Sequence, residues 1–409
     1  MKVYLSNTIE NKTVSVNIPG SKSESNRLLI LKKIYPNIFL HNLSNCDDTL
    51  ALSRGIEAKN GIVDVHHAGT AMRFLTGFFA SKKDIELTLT GSKRMQERPI
   101  KILVDALRLI GADISYVRNN GYPPLKISGK ELVLDSLSID ANISSQYISA
   151  LMLIAPSLHK GLTITLKNKI TSVPYIKMTL ELLCRIGIYC TLNNNIIKIT
   201  STKTIKDITI NIESDWSSAS YYYSLVALSE HLEITLKTFK RDSIQGDSKV
   251  VDLFKKLGVD TIFNETDNAI TLRKNQRKIE NFLNLNLIET PDIAQTIAVT
   301  CFGLGISCEL TGLKTLKIKE TDRLLALKIE LQKLGAELTI TEKSLFLKQR
   351  KTINKNIVID TYDDHRMAMS FAPLYLKVPI IINNPNVVSK SYKTFWKDLQ
   401  KIGGKVLIK

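Results

Sequence analysis

Two cations stand at a helix start near the amino terminus, where their charge opposes the helix dipole. Residues 19–31 read PGSKSESNRLLIL, and Ser21 with Glu24 forms the pattern of a capping box ahead of an apolar run. Capping leaves Lys22 and Arg27 unexplained, because the positive end of a helix repels cations. An anionic ligand would offset both charges. The stretch lacks the glycine spacing of a P-loop, so it predicts either an anion site or a plain capped helix.

Hydroxyl side chains precede two later helices of the first half. Residues 142–147 read NISSQY, in which Ser144 or Ser145 alone would suffice as a cap, so the second serine and Gln146 have no capping duty. Together with free backbone N–H groups, they could make a neutral cradle for a phosphate. Ser172 offers another hydroxyl ahead of a proline-opened helix in TSVPYIKM.

Two further segments combine glycine with arginine. In HHAGTAMRFL, at 66–75, Gly69 would let the backbone come close to a ligand, and Arg73 lies one turn inside the next helix. In TGSKRMQERPI, at 90–100, Arg94 belongs to a run of three cations in six residues. A capped helix and a solvated loop explain these segments equally well when each is taken alone.

The second half of the chain adds carboxylates to the cations. The charged residues of its segments TPDIAQTIA, KIKETDRLLAL, TYDDHRMAMSF and VVSKSYKTFWKDL include Asp292, Lys319, Glu320, Arg323, His365, Arg366 and Lys390. All the cations together exceed what one phosphate requires, which predicts a site for two polyanionic small molecules. The candidates for moving protons are Asp292, Glu320, Lys319 and His365. No metal site is predicted, because the adjacent Asp363, Asp364 and His365 cannot easily turn to one ion.

A repeated pattern supplies the elements that would position these residues. An amphipathic helix, a glycine and a short strand recur around five glycines at a spacing of about 70 residues, the size of a folding unit: Gly111, Gly187, Gly258, Gly335 and Gly403. Each glycine suits the left-handed position after a helix. With a weaker copy around Gly55, the pattern predicts an α/β protein of six small units, three in each of two domains. Helix N-termini would then converge on one positive site.

Composition restricts the class of protein. The chain has 409 residues, 44% of them hydrophobic, and a formal charge of +17, which could serve nucleic acid, a membrane surface or acidic substrates. The lysines are scattered and aromatic residues make up 7%, so a nucleic-acid-binding face has little support. The five cysteines include no C-x-x-C pair, and MKVYLSNTIE lacks the apolar core of a signal peptide. The window DIAQTIAVTCFGLGISCEL predicts a buried helix rather than a membrane span. A cytoplasmic protein is expected.

Eight segments in order identify a resemblance. PGSKSESNR, AGTAMR, RMQERPI, SSQY, PDIAQT, KETDRL, DDHRMAM and SKSY together resemble the EPSP synthase (3-phosphoshikimate 1-carboxyvinyltransferase) family of enolpyruvyl transferases. The resemblance implies a two-domain inside-out β/α barrel built from six repeated β/α units, with the active site in the interdomain cleft. One domain would comprise residues 1–20 and 213–409, and the other residues 21–212.

The resemblance also implies roles for individual residues. Those expected to bind shikimate 3-phosphate are Lys22, Ser23, Arg27, Ser144, Ser145, Gln146, Ser172, Tyr175, Asp292, Thr315 and Lys319. Those expected to bind phosphoenolpyruvate are Lys22, Gly69, Arg94, Gln146, Arg323, Arg366 and Lys390. The catalytic group would be Asp292, Glu320, Lys22, Lys319 and His365. The resemblance implies a monomer that needs no metal or organic cofactor and binds neither nucleic acid nor membrane.

Several positions depart from the family's usual pattern. Phe74 stands where proline is common, Val173 replaces a lysine, and Thr315 occupies the place of an asparagine that contacts substrate. The alternative within the same fold is the enolpyruvyl transferase that acts on UDP-N-acetylglucosamine. That enzyme commonly has asparagine after its first lysine and a cysteine in the loop at 90–98, whereas here Ser23 follows Lys22 and the loop has no cysteine.

Overall fold

The computed structural model describes residues 1–7, 12–142, 144–168 and 170–409. Contacts between residues divide the chain into two compact units. The terminal unit comprises Met1–Pro19 and Glu213–Lys409, and the central unit comprises Gly20–Ile212. Each unit mixes short strands with helices, which confirms the predicted α/β class.

The strands are short throughout the described residues. In chain order they are β1 (Lys2–Ser6), β2 (Lys12–Val16), β3 (Ile38–His41), β4 (Asn60–Asp64), β5 (Glu86–Thr90), β6 (Asp113–Tyr116), β7 (Leu125–Ser128), β8 (Ser136–Asp140), β9 (Leu162–Lys167), β10 (Cys190–Asn193), β11 (Ile196–Ile199), β12 (Ile208–Asn211), β13 (Leu232–Lys237), β14 (Val259–Asn264), β15 (Ala269–Lys274), β16 (Phe282–Asn286), β17 (Ser307–Thr311), β18 (Leu338–Ile340), β19 (Leu345–Leu347), β20 (Ile357–Ile359), β21 (Ile380–Asn383) and β22 (Lys405–Ile408).

The helices alternate with these strands. They are α1 (Lys22–Ile34), α2 (Asp47–Gly55), α3 (Gly69–Ala80), α4 (Lys93–Gln96), α5 (Lys101–Leu109), α6 (Ser145–Ile154), α7 (Val173–Arg185), α8 (Trp216–Leu228), α9 (Val250–Lys255), α10 (Ala294–Leu304), α11 (Arg323–Lys333), α12 (His365–Phe371) and α13 (Phe395–Ile402). Short 3-10 helices are Ala155–Ser157, Gly246–Lys249, Pro291–Ile293, Lys314–Ile318, Ala372–Leu376 and Pro385–Lys390.

One sheet topology recurs. In the described residues, each unit contains three sheets, and the four-stranded ones have the orders β4-β5-β7-β6, β10-β11-β9-β8, β14-β15-β13-β2, β16-β17-β19-β18 and β20-β21-β1-β22. Each combines one parallel pair with two antiparallel pairs; for example, β4 runs parallel to β5, which pairs antiparallel with β7. The sixth sheet is the parallel pair β12-β3. The repeat predicted from the sequence is therefore confirmed as a repeated sheet.

Left-handed glycines end the repeated helices, as predicted. The φ angles of Gly111, Gly187, Gly258, Gly335 and Gly403 are 110°, 87°, 86°, 96° and 106°. Glycine adopts this conformation without the steric penalty that a Cβ atom brings. The chain can therefore turn from each helix into the following strand.

Helices that are apolar on all sides occupy the core of each unit. In the central unit α3 packs against α6, and α1 contacts both. In the terminal unit α8, α10 and α12 pack against one another. The window predicted to be one buried helix is in fact α10 followed by β17, separated by Gly305 with φ 77°. No helix within the described part of the chain is long and apolar enough to cross a membrane.

Candidate active site

Arg323 lies at the centre of a charged cluster in the terminal unit. It is the first residue of α11, its side chain is 2% exposed, and Asp322 caps the helix. Its Nε donates to Asp364 Oδ2 at 2.7 Å, and its Nη2 donates to Glu320 Oε2 at 2.9 Å. Burial lowers the pKa of Arg323, but the neighbouring carboxylates outweigh burial and raise it. The guanidinium therefore stays charged.

Asp292 is held between three cations. It lies in the 3-10 helix Pro291–Ile293 ahead of α10, and its Oδ1 accepts from Arg323 Nη1 at 3.1 Å. Its carboxylate also pairs with Lys319 at 3.3 Å and with Arg366 at 3.2 Å. Burial raises the pKa of Asp292, but Arg366, Lys319 and Arg323 together hold it well below the usual range of an aspartate. Asp292 is consequently a carboxylate at neutral pH.

The cluster continues to Lys390 and His365. Lys390 Nζ lies 2.8 Å from Glu320 Oε1, and both side chains are largely buried. His365 is the first residue of α12, is 1% exposed, and its Nδ1 lies 3.7 Å from Asp364 Oδ1. We call the following residues the terminal cluster: Asp292, Lys319, Glu320, Arg323, Asp364, Arg366 and Lys390. Its cations alternate with carboxylates, and its members other than Lys390 lie at or just before the N-termini of α10, α11 and α12.

Asp247 adjoins this cluster and was not singled out from the sequence. It is 5% exposed in the 3-10 helix Gly246–Lys249, and it accepts a hydrogen bond from the Ser217 hydroxyl. Arg366 Nη2 lies 3.4 Å from the same hydroxyl. Burial and the nearby charge of Asp292 raise the pKa of Asp247 to about 7. No local pattern marked Asp247, because its importance depends on residues distant in sequence.

Thr315, which the sequence predicts to bind substrate, lies in the terminal unit near the start of α11. It lies in the 3-10 helix Lys314–Ile318, and its hydroxyl is buried without a hydrogen bond to any residue that the structure describes. A buried hydroxyl without a protein partner is suited to a ligand or water.

Arg27 is the most deeply buried of three buried arginines in the described part of the central unit, the others being Arg73 and Arg98. It is 2% exposed, and its Nε and Nη2 donate to the hydroxyls of Thr179 and Ser149 at 2.8 and 3.1 Å. Its other donors reach the carbonyls of Ser23 at 2.8 Å and Tyr175 at 3.4 Å. Burial lowers the pKa of Arg27 to about 10. These partners are neutral oxygens, so an anionic ligand would be the natural complement to this charge.

The capped helix predicted around Lys22 is confirmed. Ser21 caps α1 by accepting from the Glu24 N–H at 3.4 Å. Lys22 Nζ lies 3.3 Å from Asp48 Oδ2, and the two side chains are 16% and 6% exposed. The cation at this helix start therefore pairs with a carboxylate of α2.

The arginine beside Gly69 is Arg98, whereas the residue of this loop that the sequence predicts to bind phosphoenolpyruvate is Arg94. A Cβ atom on Gly69 would lie 2.6 Å from Nη1 of Arg98, whose side chain is buried and whose Nε makes no hydrogen bond to the described residues. Arg94 instead lies in the short helix α4, has a 41% exposed side chain, and pairs with Glu97 at 3.3 Å. The sequence signal was the run of three cations, in which Arg98 is the one that precedes proline. Arg73 joins the two segments by donating to the Pro99 carbonyl at 3.0 Å.

The N-termini of α6 and α7 carry the predicted hydroxyls. Ser144 caps α6 by accepting from the Gln146 N–H at 3.3 Å, and Ser145 is the first residue of that helix. Gln146 Nε2 donates to the Thr70 hydroxyl at 3.2 Å, which brings it next to Gly69. Ser172 precedes α7 with a left-handed φ of 55° and makes no side-chain cap. No group of three or more His, Cys, Asp or Glu residues suited to a metal ion occurs in the described ranges.

The comparisons with known proteins agree with one another. A family model described as EPSP synthase (3-phosphoshikimate 1-carboxyvinyltransferase) matches residues 41–399. The 3-phosphoshikimate 1-carboxyvinyltransferase of Bacteroides fragilis (strain YCH46) is 44% identical over 404 residues, which cover 98% of each chain. The protein of the same name from Neisseria meningitidis serogroup C is 33% identical over 94% of this chain and 95% of its own.

A solved structure supports the same fold. EPSP synthase from Acinetobacter baumannii covers the whole of both chains with a TM-score of 0.79 at 20% sequence identity, a likeness that speaks for the fold alone. The family model, in contrast, spans most of the chain, and the two relatives exceed 30% identity over nearly their full length. The chain therefore belongs to the EPSP synthase (3-phosphoshikimate 1-carboxyvinyltransferase) family.

Proposed function

We propose that this protein transfers the enolpyruvyl group of phosphoenolpyruvate to the 5-hydroxyl of shikimate 3-phosphate and releases phosphate. The observation that carries the proposal is the terminal cluster, in which Asp292 is held as a carboxylate among Lys319, Arg323 and Arg366. Such a cluster offers both an acceptor for a hydroxyl proton and cations for an anionic substrate. The relatives' shared name supplies the substrates.

Phosphoenolpyruvate would bind to the cations of the terminal cluster together with residues of the central unit. Arg323, Arg366 and Lys390 are paired with carboxylates within the cluster. An arriving phosphate and carboxylate can share these cations with the protein carboxylates. Within the central unit, the proximity of Arg98 to Gly69 supports Arg98 in the role that was predicted for Arg94. Gln146 and Lys22 are also proposed to bind phosphoenolpyruvate, as the sequence predicts.

Asp292 would accept the proton of the 5-hydroxyl. Its depressed pKa makes it a weak base in the unliganded protein, because three cations stabilise its charge. An anionic substrate that draws Arg366 and Lys319 toward itself would raise the pKa of Asp292. The hydroxyl oxygen then adds to C2 of phosphoenolpyruvate while C3 gains a proton, which yields a tetrahedral ketal phosphate.

Lys319 and Glu320 would handle the proton at C3 and at the leaving phosphate. Burial lowers the pKa of Lys319, although Asp292 opposes this change, so Lys319 releases its proton more readily than an exposed lysine. Glu320 bridges Arg323 and Lys390, within the cluster proposed to bind the phosphate. Loss of the C3 proton and of phosphate completes the transfer. His365, buried beside Asp364, is proposed to support these proton transfers.

Shikimate 3-phosphate would bind mainly to the central unit. Arg27 would pair with its carboxylate, and the hydroxyls of Ser144, Ser145 and Ser172 would hold its phosphate. The proposed set in this unit is completed by Lys22, Ser23, Gln146 and Tyr175. Its members in the terminal unit are Asp292, Thr315 and Lys319. The buried Thr315 hydroxyl supports a ligand contact there.

Three coarser features complete the proposal. The two compact units are proposed to be separate domains, with the boundaries near residues 20 and 212. The enzyme is proposed to act as a monomer in the cytoplasm on small-molecule substrates. Sedimentation velocity at micromolar concentration tests the oligomeric state, and we expect a single monomeric species.

Release of phosphate in the presence of both substrates tests the function. We expect turnover with phosphoenolpyruvate and shikimate 3-phosphate and none when UDP-N-acetylglucosamine replaces the latter. Asp292→Asn and Glu320→Gln should each lower kcat by about 100-fold or more, the scale of a lost general acid or base. Asp252→Asn, an exposed substitution in α9, is the matched control. Full turnover in both site variants would contradict the assigned roles.

A further inference from the structure

Two consecutive residues ahead of α12 adopt a left-handed backbone. Tyr362 has φ 52° and Asp363 has φ 53°, in the segment that joins β20 to α12. Bulky side chains rarely adopt this conformation, and it persists only where the surroundings enforce it. The segment immediately precedes Asp364 and Arg366, so strain is located next to the terminal cluster.

The buried carboxylate of Glu330 enforces this turn. Glu330 lies in α11, is 0% exposed, and accepts from the Tyr362 hydroxyl at 2.6 Å. It also accepts from the Asp360 N–H at 3.1 Å and from Lys333 Nζ at 2.9 Å. On the other side of the turn, Asp363 accepts from Asn384 Nδ2 at 2.9 Å. The segment is thus held from α11 through Asp360 and Tyr362, and from Asn384 through Asp363.

Helix α11 holds the segment at two points. Arg323 and Glu330 are seven residues apart, close to two helical turns, and therefore lie on similar sides of α11. Arg323 binds Asp364 at 2.7 Å, and Glu330 binds Tyr362 at 2.6 Å. Asp364 also caps α12 by accepting from the Arg366 N–H at 2.8 Å, so the position of the Arg366 backbone depends on the turn.

We propose that Glu330 and Tyr362 are positioning residues, which hold the left-handed turn so that Arg366 meets Asp292 and the phosphoenolpyruvate site. The proposal rests on the proposed function. Neither residue contacts Asp292, so both act through Asp364 and Arg366. Burial and Glu330 raise the pKa of Tyr362, which keeps its hydroxyl protonated as the donor in this contact.

Four substitutions separate positioning from a purely structural role. Tyr362→Phe and Glu330→Gln weaken the clamp, and each should raise the Kd and KM for phosphoenolpyruvate by about tenfold while the Kd for shikimate 3-phosphate stays unchanged. Asp363→Gly relieves the left-handed strain, so its Tm should equal or exceed that of the wild type. Because the turn is then looser, Asp363→Gly should still raise the KM for phosphoenolpyruvate. Asparagine tolerates the left-handed conformation and can accept a hydrogen bond from Asn384. The KM for phosphoenolpyruvate of Asp363→Asn should therefore equal that of the wild type.

A buried tyrosine in the same unit supplies the control. Tyr223 donates or accepts a hydrogen bond with Thr261 at 2.7 Å, away from the terminal cluster. Tyr223→Phe should lower Tm without changing the KM for phosphoenolpyruvate. The proposal is overturned if Asp363→Gly binds phosphoenolpyruvate as tightly as the wild type, or if activity follows Tm in all variants. Absence of turnover in the wild type would instead overturn the proposed function, while calorimetric binding of phosphoenolpyruvate still tests the turn.

A separate observation concerns two cysteines of the central unit. The Sγ atoms of Cys184, in the last turns of α7, and Cys190, at the start of β10, lie 3.2 Å apart. Cys184 is exposed, and Cys190 also contacts the Leu180 carbonyl at 3.4 Å. Burial and the contact with Cys184 raise the pKa of Cys190 to about 12. The exposed Cys184 is therefore the thiol that reacts first with an oxidant.

We infer that Cys184 and Cys190 form a peroxide-reactive dithiol. The Cys184 thiolate attacks one oxygen of hydrogen peroxide and gives a sulfenic acid and hydroxide. The Cys190 sulfur then attacks the sulfenic sulfur, its proton leaves with the departing oxygen as water, and a disulfide remains. The short separation of the two sulfur atoms favours this second step over further oxidation of Cys184.

Mass spectrometry after treatment with hydrogen peroxide tests the pair. The wild type should lose two hydrogens and resist alkylation at both positions, and a thiol reductant should reverse the change. Cys190→Ser should instead accumulate sulfinic acid at Cys184 at the same dose. Buried Cys46, Cys301 and Cys308 serve as internal controls, because they should remain reduced. Sulfinic acid on Cys184 of the wild type, or two free thiols after treatment, would overturn the inference.

Discussion

Asp292 and Asp247 show how the pKa values of neighbouring carboxyl groups are shifted in opposite directions. Three cations contact Asp292 and keep it charged, whereas burial and the charge of Asp292 favour the protonated form of Asp247. Pairs whose pKa values are pushed apart in this way are typical of sites that move protons. Sequence pattern marked Asp292 by its place at a helix start, but nothing local distinguished Asp247.

Replacing Asp247 by asparagine should stabilise the protein in a pH-dependent way. The folded pKa of about 7 exceeds the ordinary value of about 3.9. Below pH 4 the group is protonated in both states and the substitution should have little effect. As pH rises from 4 to 7 the unfolded state loses its proton first, so the wild type loses stability that Asp247→Asn keeps. At pH 8 the gain should reach up to about 4 kcal/mol.

Thermal unfolding followed by circular dichroism between pH 4 and pH 8 measures this difference. Exposed Asp252→Asn is the control, and its Tm should match that of the wild type at every pH. An Asp247→Asn protein that is destabilised equally at all pH values would show that Asp247 is charged in the folded state.

Arg98 and Arg94 can be ranked by parallel substitutions. Arg98 is buried next to Gly69, whereas Arg94 is exposed and paired with Glu97. Arg98→Lys loses the planar donor fork, so the KM for phosphoenolpyruvate should rise by about tenfold or more. Arg94→Lys should change it less than about threefold, because a surface ion pair contributes little. Steady-state kinetics decide between them, and the reverse order would restore Arg94 to the role predicted from sequence.

At the scale of elements, the sequence predicted most of the repeat. Helix, glycine and strand recur with visible spacing, and the five glycines adopt the expected left-handed φ. The pattern did not predict that the last residues of the apolar window form β17, because both elements are buried and equally apolar. Arg98 and Glu330 were missed for a related reason: their roles depend on contacts with Gly69 and Tyr362, which lie about 30 residues away in sequence.

Gly187 offers a clean test of the left-handed helix ends. Its φ is 87°, and a Cβ atom there would meet nothing within 4 Å, so any loss comes from the backbone alone. Gly187→Ala should lower the free energy of unfolding by about 1 kcal/mol. Gly187→Asn, which tolerates this conformation better, should recover part of the loss. Denaturant unfolding measures both variants, and equal stability of Gly187→Ala and the wild type would contradict the role of the glycine.

At the scale of the whole molecule, the chain forms two compact units, of which the central one is a continuous segment. Residues 20–212 contain three sheets, and α1, α3 and α6 pack against one another within the segment. We therefore expect this segment to fold alone, with a dispersed amide NMR spectrum and a cooperative unfolding transition. A spectrum typical of an unfolded chain would contradict the proposal that the units are separate domains.

The net charge of +17 comes largely from scattered lysines and not from the buried cations of the candidate site. Many surface lysines pair with carboxylates, as in Lys101 with Asp105, and the scatter of the rest gives no basic face in the sequence. Buried cations, in contrast, occur at the starts of α1 and α11 and at the terminal cluster. The net charge alone is therefore compatible with nucleic acid, a membrane surface or small acidic substrates. The cations at the helix starts favour small anions among these partners.

Proton and phosphorus NMR of a reaction mixture test the central claim most directly. With phosphoenolpyruvate and shikimate 3-phosphate, we predict one equivalent of free phosphate for each new vinyl ether attached to the 5-oxygen, and no signal change with either substrate alone. Asp292→Asn should suppress both products together. Formation of pyruvate with phosphate, or no consumption of phosphoenolpyruvate by the wild type, would contradict the proposed transfer.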